Sequence, residues 1–187
     1  KKPENVEGLL LQVWKYAKER AQKDQNILAE YMTNDGISDD FYPWDWLYYS
    51  EKRRQKEHEL NEEEVKSYFS LDQMVEASFY CANKLFGLSF QPVSLPLYHK
   101  DCKAWEVTKN GENIALFIGD YFARSSKRSG AWCSAFQSQA KFPVFQKPIV
   151  LNVCNFAKGS PTLLSFDDAR TLFHEFGHAL HQILSNV

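Results

Sequence analysis

Apolar residues recur at two different periods along this chain, and the change of period divides it. Leu9, Leu10, Val13, Trp14, Ala17 and Ala21 fall at helical spacing and predict one long helix over residues 5–32, ended by Asn34-Asp35-Gly36. DDFYPWDWLYYSEKRRQKEHEL follows, with Pro43 suited to the first turn of a helix and a charged tail suited to a solvated continuation. Asn61 then precedes three glutamates, which favour a helix N-terminus because the dipole there is positive. Ser70 and Gln73 make a capping-box pattern. They open a helix that runs to Gly87 with Met74, Val75, Phe79, Ala82 and Phe86 as its core face.

From about residue 90 the period shortens. LPLYH, KAWEVT, NIALFIGDYF, SGAWCSAF and KPIVLNVCNF read as strands. Lys109-Asn110-Gly111-Glu112 is a hairpin signal, since Asn-Gly accepts positive φ. Ser165 is a cap, and residues 166–185 read as a final helix. The order predicts an α+β fold, mainly α, in one compact unit. Residues 1–89 are mainly helical, 90–160 hold a small mixed sheet, and 161–187 carry the last helix.

The composition is that of a globular protein, with 44% hydrophobic and 25% charged residues in 187, enough to bury a core. A net charge of −2 gives no basic field for nucleic acid or an anionic membrane, and no apolar run is long enough to span a bilayer. Cys81, Cys102, Cys133 and Cys154 are widely spread without a C-x-x-C pair, which argues against a cysteine zinc site. They read as reduced thiols of a cytoplasmic protein.

The chemistry lies in the last helix, as His174-Glu175-Phe176-Gly177-His178. Histidines at i and i+4 are one turn apart and can converge on one zinc ion. Glu175 is then placed to take the proton of a water activated there, which is the H-E-x-x-H chemistry of zinc peptidases. Leu172, Phe173, Phe176, Leu180 and Leu184 are available for burial. Gly177 costs about 1 kcal/mol within a helix relative to Ala, so close approach of another backbone is expected there. His181 follows on nearly the same face and reads as a packing residue rather than a ligand. The metzincin pattern is excluded, because the positions three and six after His178 are His181 and Leu184. A catalytic zinc takes three protein ligands, and the third is not identifiable in this chain.

FHEFGHALH resembles the signature of the thimet oligopeptidase family of zinc metallopeptidases. PWDWLYYSEKRR, YFSLDQMVEASFYCANKLFGLSF, YHKDCKAWEV, ALFIGDYFARSSKRSGAW and VLNVCNF resemble stretches of that family in the same order. The likeness runs nearest to its bacterial peptidyl-dipeptidase (dipeptidyl carboxypeptidase) branch. The resemblance implies a mostly helical, zincin-like enzyme whose channel admits short peptides. It implies one zinc held by His174, His178 and a glutamate about twenty-five residues further on. Family members are several times longer, so the chain reads as an internal fragment that needs the rest of its polypeptide to be active. Release of C-terminal dipeptides follows from the branch alone. The alternatives are an endo-acting oligopeptidase of the same family and a non-catalytic peptide-binding fragment.

Zincins commonly hold substrate backbone on an edge strand beside the zinc helix. SGAWCSAF is the candidate, with Gly130, Ala131 and Trp132 as substrate-binding residues. Arg124, Lys127 and Arg128 read as a solvated loop, with steering of a peptide carboxylate as the alternative. His99 with Asp101 reads as a surface turn, and Asp167 and Asp168 as capping residues. Phe41, Tyr42, Trp44, Trp46, Tyr48 and Tyr49 read as packing aromatics.

Overall fold

The computed structural model describes residues 2–58 and 61–187. The chain divides into two compact units, Lys1–Asn61 and Glu62–Val187, rather than the single unit expected.

The first unit is a helix pair, α1 (Pro3–Asn34) and α2 (Asp45–His58). Pro3 starts α1, where a missing N–H costs nothing, and Gly36 at φ +82° follows its end. α1 buries only Leu28 and Met32, which pack with Tyr49 of α2 and the flanking Tyr31, Phe41 and Trp46. Leu9, Leu10, Val13 and Trp14 of the expected stripe are all exposed, because α2 meets α1 over its C-terminal half, through Leu28, Met32 and the Asp24–Arg53 ion pair. The aromatic cluster is likewise split. Tyr49 is buried and Phe41 meets Trp46 edge to face, while Trp44 and Tyr48 are exposed. The end of the predicted charged tail lies outside the described residues.

The second unit packs α4 (Leu71–Phe86) and α5 (Phe166–Ile183) on one face of a five-stranded sheet, after a one-turn α3 (Glu62–Lys66). Its strands are β1 (Leu88–Val93), β2 (Lys103–Lys109), β3 (Glu112–Phe122), β4 (Trp132–Gln137) and β5 (Ile149–Phe156), in the order β1-β2-β3-β5-β4. β3 and β5 are parallel and every other pair is antiparallel, so the sheet is mixed, as expected. Asn110 at φ +53° and Gly111 at φ +83° turn the β2–β3 hairpin where the Asn-Gly pair predicted.

Phe79, Phe90, Trp105, Phe117 and Phe176 form the centre of the core under the helices. Phe79 stacks on Phe90 at 4.1 Å, and Phe117 meets Phe176 edge to face at 5.5 Å. The opposite face of the sheet carries a smaller cluster of Cys102, Ala104, Ile118, Leu151 and Val153.

Two predicted features fall elsewhere. LPLYH is not a strand, and β1 instead begins at Leu88, directly after the left-handed Gly87. Ser70 makes no side-chain cap. Its segment is engaged by backbone: Leu71 N–H donates to Thr162 C=O at 2.9 Å, and Leu164 N–H donates to Phe69 C=O at 2.8 Å. This short bridge, centred on Ser70 and Leu163, ties the start of α4 to the start of α5.

Candidate active site

The candidate residues are carried by α5, and its first turn fixes their phase. Ser165 Oγ accepts from the Asp168 N–H at 3.0 Å, and Asp168 Oδ2 accepts from the Ser165 N–H at 3.1 Å. This full capping box satisfies donors that a helix start leaves open. Asp167 pairs with Arg170 at 3.2 Å. From there the 3.6-residue period separates two faces. Leu172, Glu175, Phe176, Ala179 and Ile183 are buried, while His174, Gly177, His178 and His181 are exposed. Phe173, expected in the core, lies on the outward side at 36% exposure.

The His174 and His178 rings meet edge to face, with Nε2 atoms 3.1 Å apart and donor and acceptor roles set by tautomer. Two nitrogens sharing one tetrahedral zinc at about 2.0–2.1 Å stand roughly 3.3 Å apart. The pair therefore fits two positions around a single ion. Among the described residues, no group of three or more His, Cys, Asp or Glu side chains is arranged to hold a metal. Gly177 meets no close backbone; the space where its Cβ would stand is open. The expected packing reason for that glycine is absent from the described residues.

Glu175 lies on the neighbouring, sheet-facing side at 8% exposure and forms no ion pair among the described residues. Burial pushes the Cys133 and Cys154 thiols up to about 12, and the charge of Glu175 adds to the rise in both. Its carboxylate is thus felt across the β4–β5 pair. Beneath it stands Asn152 of β5, 1% exposed. With its amide turned to match its neighbours, Asn152 accepts from the Phe176 N–H at 3.1 Å and donates to the Glu175 C=O at 3.2 Å. Gln182 Nε2 donates to Cys133 Sγ at 3.3 Å further along. These bonds hold α5 on β5 and β4 around the buried carboxylate.

β4 is an edge strand, bonded to β5 on one side only among the described residues. Gly130 precedes it at φ +90°, a conformation that favours glycine. Asn155 Nδ2 donates to the carbonyls of Arg128 at 2.7 Å and Gly130 at 2.6 Å, fixing the approach to the strand. Ala131 packs against the core, and Trp132 is 46% exposed. The structure thus joins His174 to His178, sets Glu175 between their helix and the sheet, and puts Gly130, Ala131 and Trp132 at the head of the adjacent edge strand.

In the basic run before β4, Arg124 and Lys127 are neither solvated nor free to receive a carboxylate, whereas Arg128 is exposed. Arg124 forks onto Asp120 with two 2.7 Å bonds, and Tyr98 Oη donates to the same carboxylate at 2.9 Å. Lys127 Nζ reaches Asp120 Oδ1 at 3.2 Å and the carbonyls of Asp120, Phe122 and Cys154. Burial alone would raise the Asp120 pKa, but the bonds from Arg124, Tyr98 and Lys127 prevail and hold it at about 2. His99 and Asp101 do form a turn, with Nδ1 and Oδ2 3.6 Å apart and Lys158 on the same carboxylate at 2.5 Å. The sequence reading missed Asn152 and Asp120. Each is a lone polar residue inside an apolar strand, VLNVCNF and LFIGDYF, and such a residue must find a partner.

A family model described as peptidase family M3 matches residues 1–187. The chain is 38% identical to a dipeptidyl carboxypeptidase of Escherichia coli (strain K12), covering 99% of this chain and 28% of that protein. It is 43% identical to a dipeptidyl carboxypeptidase of Salmonella typhimurium over 76% of this chain and 22% of that protein. It is 31% identical to oligopeptidase A of Escherichia coli (strain K12), again over 99% of this chain and 28% of the relative. The chain therefore spans between a fifth and a third of the length of these relatives.

Proposed function

The chain belongs to peptidase family M3, and on that footing we propose that the protein hydrolyses peptide bonds in short oligopeptides as a zinc metallopeptidase. The observation that carries this reading is the 3.1 Å approach of the His174 and His178 nitrogens, with Glu175 next to His174 in sequence and on the buried side. His174 and His178 would hold the zinc, and a third ligand would come from a part of the polypeptide beyond these 187 residues. Bound there, zinc supplies a Lewis acid that polarises the scissile carbonyl and makes a water acidic near neutral pH. Glu175 takes the proton of the attacking water and returns it to the leaving amine nitrogen. Its near-complete burial keeps that carboxylate in a low-dielectric setting. Asn152, through the Glu175–Phe176 peptide unit, keeps it from turning with the helix.

The free edge of β4, from Gly130 and Ala131 through Trp132, receives the substrate backbone. Ladder hydrogen bonds there hold an extended peptide whatever its side chains. The products are C-terminal dipeptides, in line with the names of two relatives. A second reading, internal cleavage, is favoured by the match to oligopeptidase A over the same residues. Peptides with amidated C-termini separate the two: an endopeptidase cleaves them and a dipeptidyl carboxypeptidase does not. Four free cysteines suit the cytoplasm, and no helix among the described residues is long and apolar enough to cross a membrane.

The central test is Glu175→Gln in the full-length, metal-loaded protein. Hydrolysis is expected to fall by about 10²–10⁴-fold with zinc content unchanged by elemental analysis. His174→Ala is expected to lose the metal itself. Unchanged turnover in Glu175→Gln removes the mechanism.

A further inference from the structure

β4 has a second face, and its chemistry is unlike that of the first. Cys133 packs into the core beneath α5, whereas Trp132 and Phe136 stand on the opposite side and are 46% and 63% exposed. They border a cavity of about 390 Å³ whose walls include Tyr98, Arg124 and Arg128. Phe136 meets the Tyr98 ring edge to face at 6.2 Å, and the Arg124 guanidinium lies 5.9 Å from the Tyr98 centroid. Three cations, Arg124, Lys127 and Arg128, line this cavity against one carboxylate, Asp120. Asp120 occupies Arg124 and Lys127. Arg128 is exposed and makes no ion pair among the described residues. The cavity thus carries an excess of two positive charges between aromatic walls, with one guanidinium free to bind.

A peptide added to the edge of β4 turns successive side chains to opposite faces. One set comes to the α5 side, where the histidines and Glu175 are. The other set comes beside Trp132 and Phe136, because side chains paired across adjacent strands lie about 4.5–5.5 Å apart at Cβ. We infer that this cavity is a side-chain subsite that selects acidic residues at alternate positions of a peptide lying on β4, with Arg128 as the residue that sets the preference. The inference rests on the reading above that β4 receives the substrate. The aromatic walls accept the methylene stem of a glutamate, and the guanidinium pairs with its carboxylate. A lysine in the same position meets the excess charge and is disfavoured.

The test uses the full-length, metal-loaded enzyme and a fluorogenic peptide series in which Glu, Gln or Lys is moved one position at a time. The expected result is a kcat/KM about three- to tenfold higher for Glu than for Gln, with Lys below Gln, recurring only at positions two apart. Arg128→Ala is expected to level the series and Arg128→Glu to reverse it, each read as the Glu-to-Gln and Lys-to-Gln ratio of kcat/KM within the same variant. A Glu preference that survives Arg128→Glu overturns the inference, as does the absence of any charge preference. A preference at adjacent positions also overturns it, since it breaks the alternation of an added strand. Turnover of the all-Gln peptide reports on the peptidase reading separately: if the metal-loaded enzyme cleaves no peptide, that reading fails and the subsite falls with it.

Discussion

The two faces of the sheet are built by opposite strategies. Under α4 and α5 the face is apolar and aromatic, centred on Phe117 at 0% exposure and Phe176 at 4%. On the other face the most buried group is a charge, Asp120, held by Arg124, Lys127 and Tyr98. Packed rings tolerate neighbours of many shapes but gain nothing from direction. A buried carboxylate is the reverse: it contributes only while each of its partners is in place. The apolar face therefore supports a helix that must be rigid. The polar face fixes the loop from Arg124 to Arg128 that delivers the chain into β4.

Substitutions on either face and at the start of α5 would sharpen or break that contrast. The largest cost is expected for Phe117→Ala, about 3–5 kcal/mol by chemical denaturation, because four rings lose a shared neighbour and a cavity opens.

Asp120→Ala is expected to cost about 3 kcal/mol, since Lys127 at 7% side-chain exposure would keep its charge without a counterion. Replacing Asp120, Arg124 and Lys127 together with apolar residues of similar volume should cost much less. If it costs as much, the network is contributing direction rather than charge balance. The same site has a pH signature. The Asp120 pKa is lowered from 3.8 to about 2 in the folded state. Its contribution is therefore fully present above pH 4 and lost as pH falls towards 2. Asp120→Asn should flatten the denaturation midpoint across that window.

The smallest effect is expected from Ser165→Ala, about 1 kcal/mol, through loss of the α5 capping box. A cost as large as that of Phe117→Ala would mean that α5 is held by its start rather than by the aromatic face.

Features set by neighbours in sequence were legible before any coordinates. The β2–β3 turn at Asn110-Gly111, the Ser165 cap and the phase that pairs His174 with His178 are all local, and all stand where the pattern put them. Features set by distant partners were not. Leu9, Leu10 and Val13 have the same period as the buried stripe of α5, yet they remain exposed, because a period specifies a helix and not what covers it. LPLYH has strand-like residues, but Gly87 starts the strand earlier and Pro96 interrupts the later run. Arg124 and Lys127 read as surface until Asp120, a few residues upstream in an apolar strand, is seen to bind them. At the candidate site, the two histidines and Glu175 came from a motif. The amide of Asn152 that anchors their helix came only from the fold.

The bridge between Ser70 and Leu163 has a consequence for how the molecule assembles. It joins segments about ninety residues apart, and the entire sheet lies between them in sequence. Closing so long a loop is slow unless the intervening strands have already drawn its ends together. The histidine-bearing helix is therefore expected to dock after the sheet has formed. A form with finished strands and an undocked α5 would have most of its secondary structure, with Glu175 in water rather than buried.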